Sequence, residues 1–177
     1  MDNQIDFNQL DIVKLSAGFN LSDFDCGDAD LNSFLKDDAL DYQNGSLTVT
    51  YLCLYKNQIV AYFSLSSDAI RLDPEEKETM PEPKRRLGEY PSVKLGRLGV
   101  HKDFRKRGIG KFLIRVVIGK ITGIIRKEIG CRFITVDAYD EAIDFYKKLD
   151  FVQNLAKKRK IGLSMRYDLM DFIKSNQ

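Results

Sequence analysis

The chain holds 177 residues, 44% of them hydrophobic, with a formal net charge of +2 and a single histidine. That length and apolar content suit one compact α/β domain with a sizeable core. They exclude a site built on several histidines, and no apolar run approaches the length of a membrane span.

The N-terminus, Met1-Asp2-Asn3-Gln4-Ile5-Asp6, is acidic and polar, unlike a secretory signal or a transit peptide, so the expected location is the cytoplasm. Asp11 to Leu15 reads as a short first strand. Asp28 is placed to cap a helix whose Leu31, Phe34, Leu35 and Ala39 recur at helical spacing and face the core. Asn44-Gly45 signals a turn. Leu47 to Tyr55 and Ile59 to Ser66 are rich in β-branched and aromatic residues, and Lys56-Asn57-Gln58 between them predicts a hairpin. Residues 73–90 carry Pro74, Pro81 and Pro83 among many charges, which predicts a loop with one short helix, Pro74 to Thr79.

Ser92 to Val100 is the next strand, and Gly108 to Glu128 the main helix. Its inward stripe reads Ile109, Phe112, Leu113, Val116, Val117, Lys120, Ile121, Ile124 and Ile125, with only Lys120 polar. Arg107, Lys111, Arg115 and Lys127 fall on its outer face. Gly130 ends the helix, and Arg132 to Val136 forms a strand. Asp140 is placed to cap a short helix, Glu141 to Leu149, and Ile161 to Leu169 alternates as a closing strand. The order predicts an α/β (α+β) fold: one mixed, mostly antiparallel central sheet flanked by helices, in a single domain spanning 1–177.

Cys26, Cys53 and Cys131 are odd in number and widely spaced, so they read as reduced thiols and not as a disulfide frame or a zinc site. Cys53 and Cys131 fit apolar strands as small core residues, whereas Cys26 falls in a polar loop and is expected to be exposed. No bound metal is expected.

The charge is unevenly spread. Residues 1–83 hold 5 Lys+Arg and 16 Asp+Glu, a net of −11; residues 84–132 hold 15 and 3, a net of +12; residues 133–177 hold 8 and 7, a net of +1. A basic middle third suits a polyanionic partner, either a phosphate-rich cofactor or nucleic acid. It equally suits a solvated helix face.

Within that third, Arg105-Lys106-Arg107-Gly108-Ile109-Gly110 lies between a strand-like run and the main helix. A strand-to-helix turn of this kind can aim free backbone N–H groups and the positive end of a helix dipole at a phosphate. Glycine lets a ligand approach the main chain closely.

These residues resemble the GNAT acetyltransferase superfamily. Its central motif, Arg/Gln-x-x-Gly-x-Gly/Ala, reads here Arg105-x-x-Gly108-x-Gly110, after the strand Leu95-Gly-Arg-Leu-Gly-Val100. Downstream, Val136-Asp137-Ala138 leads to Phe145-Tyr146 and Phe151, similar to the family's Phe-Tyr-x-x-x-Gly-Phe. At the start, Phe24-Asp25-Cys26-Gly27-Asp28-x-x-Leu31-Asn32-x-Phe34-Leu35 resembles the opening of the branch that includes toxins of toxin–antitoxin pairs, which acetylate aminoacyl-tRNA. The chain departs from these patterns with Asp150 where glycine is usual, His101 where the toxins carry aspartate, and Gly99 where they carry alanine.

The resemblance implies acetyl-CoA as co-substrate, with its pyrophosphate on the main chain of Arg105, Lys106, Arg107, Gly108, Ile109, Gly110 and Lys111. The pantetheine arm would pair with Leu98, Gly99 and Val100, and Tyr146 would protonate the departing CoA thiolate. The acceptor is a primary amine: that of aminoacyl-tRNA, met through the basic 84–132 region, or that of a small molecule or protein. An antitoxin protein and a second copy of the chain are the further partners implied, and a non-catalytic CoA-binding module is the alternative. No general base stands out, since Lys94 to Val100 contains no carboxylate. Glu89 reads as a loop charge and His101 as a turn residue.

Overall fold

The computed structural model describes residues 5–80, 86–156 and 162–175. They form an α/β fold with one mixed sheet flanked by helices. The seven strands are β1 (Leu10–Lys14), β2 (Val49–Tyr55), β3 (Gln58–Ile70), β4 (Tyr90–Val100), β5 (Phe133–Ala138), β6 (Val152–Gln153) and β7 (Leu163–Asp168). Their order in the sheet is β1-β2-β3-β4-β5-β7-β6. The described helices are α1 (Ala29–Ser33), α2 (Ala39–Asn44), α3 (Pro74–Glu78), α4 (Ile109–Glu128), α5 (Ile143–Lys147) and α6 (Leu169–Ser175).

Contacts gather into two compact units. The first comprises Met1–Ser66 and Leu95–Val116. Asp28 accepts a hydrogen bond from Leu31 N–H and starts α1, and a π turn over Phe34–Asp38 carries the helix on into α2. Phe34, Leu35 and Ala39 are buried against Leu15, Phe24, Leu52 and Tyr62, and Leu31 packs at the edge of that cluster. The hairpin between β2 and β3 turns on Lys56 (φ 49°) and Asn57 (φ 64°) alone, the left-handed pair that a tight right-twisted hairpin demands. Gln58 already pairs with Tyr55.

The second unit comprises Ser67–Lys94 and Val117–Gln177. Ile70, Leu72, Met80, Tyr90 and Phe133 form its own apolar cluster. β5 and β7 pair antiparallel from Phe133↔Asp168 to Ala138↔Leu163. Asp73 and Glu76 close a reciprocal capping box on α3. Glu76 also receives the guanidinium of Arg166 and the N–H of Leu155 (3.0 Å), so one buried carboxylate ties α3 to β7 and to the segment after β6.

Several expectations shift. β3 continues to Ile70, and the short edge strand β6 and the terminal helix α6 carry too little pattern to be read. The buried face of α4 takes in Ile114 and Ile118, while Phe112, Val116 and Lys120 are half-exposed. Apolar residues flank the Ile109–Leu113–Val117–Ile121 line on both sides, so periodicity alone leaves the face ambiguous. The side chains of Ile124, Ile125 and Lys127 lie outside the description, as do Pro81, Pro83 and Ile161. Asp140 lies within a 3-10 turn (Asp140–Ala142) and makes no cap hydrogen bond.

Candidate active site

In the first unit, the turn after β4 starts at His101. Its main-chain N–H donates to Val60 C=O (2.8 Å), and its Nδ1 accepts from Asp103 N–H (3.3 Å), capping a 3-10 turn over Lys102–Phe104. The imidazole is buried between Phe24 and Phe104. It does the capping work that an aspartate does in other chains, and it is the turn residue expected.

Lys106 (φ 60°) and Gly108 (φ 84°) are left-handed on either side of Arg107. Such alternation curls successive N–H groups into a concave nest. The first backbone bond of α4 runs from Phe112 N–H to Gly108 C=O at 3.0 Å. The N–H groups of residues 106–111 precede it, and among the described residues none donates to a backbone carbonyl. No acidic residue stands in the first turn of α4. Six free donors, the positive end of a 20-residue helix and no competing carboxylate form a donor set that fits a pyrophosphate.

The structure separates the roles of the three cations. The Arg105 guanidinium is engaged within the protein: its Nη2 donates to the carbonyl of Cys26, and it covers Gly27. Arg107 is half-buried over the ring of Phe104, 5.2 Å from its centroid. Lys106 is exposed, as are Lys111 and Arg115 on α4. Lys102, just upstream, is paired with Asp25 (2.8 Å). In the second unit Lys94 pairs with Asp137 and Arg132 with Asp168. Lys94, Lys102 and Arg132 are therefore paired with carboxylates of the protein itself.

The N-terminal signature acquires a structural meaning here. Asp25 Oδ1 accepts from Gly27 N–H (2.8 Å) and Asn32 Nδ2 (2.9 Å), Asn32 Oδ1 accepts from Cys26 N–H (2.9 Å), and Lys102 N–H donates to Asp25 C=O (2.8 Å). These donors, Lys102 first, hold the Asp25 carboxyl well below the usual carboxylate range. The loop of residues 24–28 thus clamps the turn after β4. Cys26, expected in solvent, is 1% exposed in the core of this unit, because its carbonyl and N–H are both consumed in the clamp. Burial pushes its thiol up, and pushes Cys53 to about 12 and Cys131 to about 11, so none is poised as a nucleophile.

Gly108 is not bare for a ligand. The ring of Phe7 fills the space, 3.1 Å from where a Cβ would stand. Likewise the ring of Tyr62 covers Gly99. Leu98, Gly99 and Val100 form the end of β4 that leads into the nest.

Tyr146 belongs to the second unit, on α5. It is 8% exposed and packs between Phe145 (5.1 Å) and Phe151 (5.3 Å). Its carbonyl accepts from the N–H groups of Leu149 (3.0 Å) and Phe151 (3.1 Å), which closes the turn through Asp150. Among the described residues its hydroxyl has no hydrogen-bond partner, and burial raises the phenol to about 12. It remains a protonated donor at any ordinary pH. Glu89 is exposed and paired with Arg71 (3.0 Å), a loop charge as expected.

A family model described as an acetyltransferase (GNAT) domain matches residues 49–153. The chain belongs to the GNAT acetyltransferase family. Its co-substrate is acetyl-CoA, and its reaction is acetyl transfer to an amine. A tRNA-acetylating toxin of Mycobacterium tuberculosis (strain ATCC 25618 / H37Rv) is 28% identical over 144 residues, covering 78% of this GNAT chain and 81% of that protein. AtaT complexed with acetyl-methionyl-tRNAfMet superposes with a TM-score of 0.80 at 21% identity, over 95% of this chain and 99% of that one. An AtaT mutant toxin bound to the C-terminus of the antitoxin AtaR and acetyl-CoA superposes with a TM-score of 0.76 at 21% identity, over 95% and 99%. At that identity the superpositions show the GNAT fold. No described helix is long and apolar enough to cross a membrane. Among the described residues, no group of three or more His, Cys, Asp or Glu side chains could hold a metal ion.

Proposed function

We propose that this enzyme acetylates the α-amino group of aminoacyl-tRNA. The observation that carries the reading is the likeness, over most of both chains, to a tRNA-acetylating toxin. The exposed Lys106, Lys111 and Arg115 beside the anion nest supply a face for RNA phosphates.

In this reading the CoA pyrophosphate rests on the N–H groups of residues 106–111. Arg105 contributes position, because its guanidinium is already bound to Cys26. The pantetheine amides pair with the main chain of Leu98, Gly99 and Val100 as an added strand would. An N–H of that strand donates to the thioester carbonyl and holds the developing oxyanion.

The amine nitrogen attacks the carbonyl carbon, the C–S bond breaks, and the departing thiolate takes the Tyr146 hydroxyl proton. The proton lost by the amine restores the phenol. A phenol at about 12 is a weaker acid than a thiol, so it acts first through a hydrogen bond that strengthens as charge grows on sulfur, and gives up its proton as the amine's proton replaces it. No strong base is required. An α-amino group titrates at about 8, against about 10.4 for a lysine, so far more of it is neutral near pH 7. An antitoxin-like protein that silences the activity belongs to the same reading.

The test is transfer of label from acetyl-CoA into a pool of charged tRNA, polyamines, amino acids and cell proteins. Label is expected in charged tRNA. Label confined to protein or small amines overturns the acceptor. With three cations on phosphates, tRNA affinity should fall with a log–log salt slope of about −2 to −3.

A further inference from the structure

Phe7 opens a 3-10 turn (Phe7–Gln9) that Asp6 caps, accepting from Asn8 N–H (3.0 Å) and Gln9 Nε2 (3.0 Å). The turn runs directly into β1, where Leu10 pairs with Tyr55, so the ring is rigidly based. It lies over Gly108, 3.1 Å from the position of a Cβ, and against Phe112 with centroids 5.4 Å apart and planes 33° apart. Yet Phe7 stays 38% exposed. The ring therefore presents an apolar face to solvent directly beside the nest's own glycine.

The nest takes a pyrophosphate, and in CoA an adenine follows that pyrophosphate by one ribose. Bases stack on aromatic faces without needing a hydrogen-bond pattern. We propose that Phe7 is the stacking platform for the adenine of acetyl-CoA. The inference rests on the placement of the pyrophosphate on residues 106–111 given above.

The experiment is calorimetric titration, without any acceptor, of two thioesters into the full chain: acetyl-CoA, and acetyl-4′-phosphopantetheine, which keeps a phosphate but lacks the adenosine. Phe7→Ala should weaken acetyl-CoA about tenfold while leaving the truncated thioester unchanged. Phe7→Trp should retain both. Unchanged acetyl-CoA affinity in Phe7→Ala overturns the proposal. So does an equal loss for both thioesters, which marks a mere support for the turn, and so does an effect confined to the KM of the amine acceptor.

Lys111→Glu separates this inference from the site beneath it. A carboxylate in the first helical turn favours the helix and repels an anion at the nest. If Lys111→Glu leaves acetyl-CoA binding intact, the cradle itself is misplaced and Phe7 falls with it. If Lys111→Glu weakens both thioesters and Phe7→Ala weakens neither, the cradle stands and only the Phe7 inference fails.

Discussion

A Cβ built on Gly99 would stand 2.6 Å from Cε1 of Tyr62. The ring, held by its hydroxyl's 2.7 Å bond to Leu31 C=O, occupies the room that a methyl group on residue 99 would need. Gly99→Ala should therefore destabilise the protein by about 1–3 kcal/mol, the cost of overpacking. In a Tyr62→Leu background the same change should cost at least about 0.5 kcal/mol less. Urea unfolding of the four chains measures this, and additive losses would show that the contact is relaxed in solution.

Tyr146→Phe removes a hydroxyl and little else. We expect kcat to fall by about 10²–10⁴ with acetyl-CoA affinity unchanged. Burial lifts the phenol to about 12, from about 10 in an unfolded chain. The neutral form is the one the fold favours, so its contribution to stability is complete below pH 10 and is lost as pH rises through about 12. The profile of kcat/KM should show no descending limb from this group below pH 10. A limb near 9 that disappears in Tyr146→Phe would contradict the burial.

The clamp on the turn after β4 depends on the charge of Asp25. Its carboxyl is held low by Lys102, Gly27 N–H and Asn32. A depressed carboxylate stabilises above its unfolded value of about 3.9, and that stability is lost as pH falls through the lowered one. Asp25→Asn should therefore be less stable than the parent at pH 7, with the gap closing in acid. The pair is partly exposed, so added salt should narrow the gap as well. A gap independent of pH would mean that shape, and not charge, holds the loop.

Asp150 occupies the left-handed region at φ 65°, where the family's motif carries glycine. Asp150→Gly should leave the protein unchanged or more stable by up to about 1 kcal/mol, whereas Asp150→Ala should cost about 1 kcal/mol. Thermal melts of both distinguish a backbone requirement from a side-chain contact.

Where structure depends on neighbours in the chain, the residues were legible. Asp28 caps α1, Lys56-Asn57 turns the hairpin, and the motif around Phe145-Tyr146 lands on one short helix, because each needs only a few adjacent residues. Asp140 carries the signal of a cap and makes no cap hydrogen bond, since an acid before a helix gives the same local signal whether or not its side chain reaches an N–H. The inward stripe expected for α4 includes Phe112 and Val116 and omits Ile114 and Ile118, whereas the structure buries Ile114 and Ile118, since the two flanks offer equivalent apolar surface until the packing selects one.

By itself the sequence determined the family, the donor-rich turn at residues 105–111 and the tyrosine of the motif, because these are encoded by short-range spacing and backbone preference. Only the tertiary structure decided how they are used. Arg105 binds the carbonyl of Cys26, a residue 79 positions away, and the space beside Gly108 is filled by the ring of Phe7. Lys94 and Arg132 face Asp137 and Asp168 across the sheet. A charge or a glycine acquires its role from the atoms packed against it, and here those atoms come from distant parts of the chain.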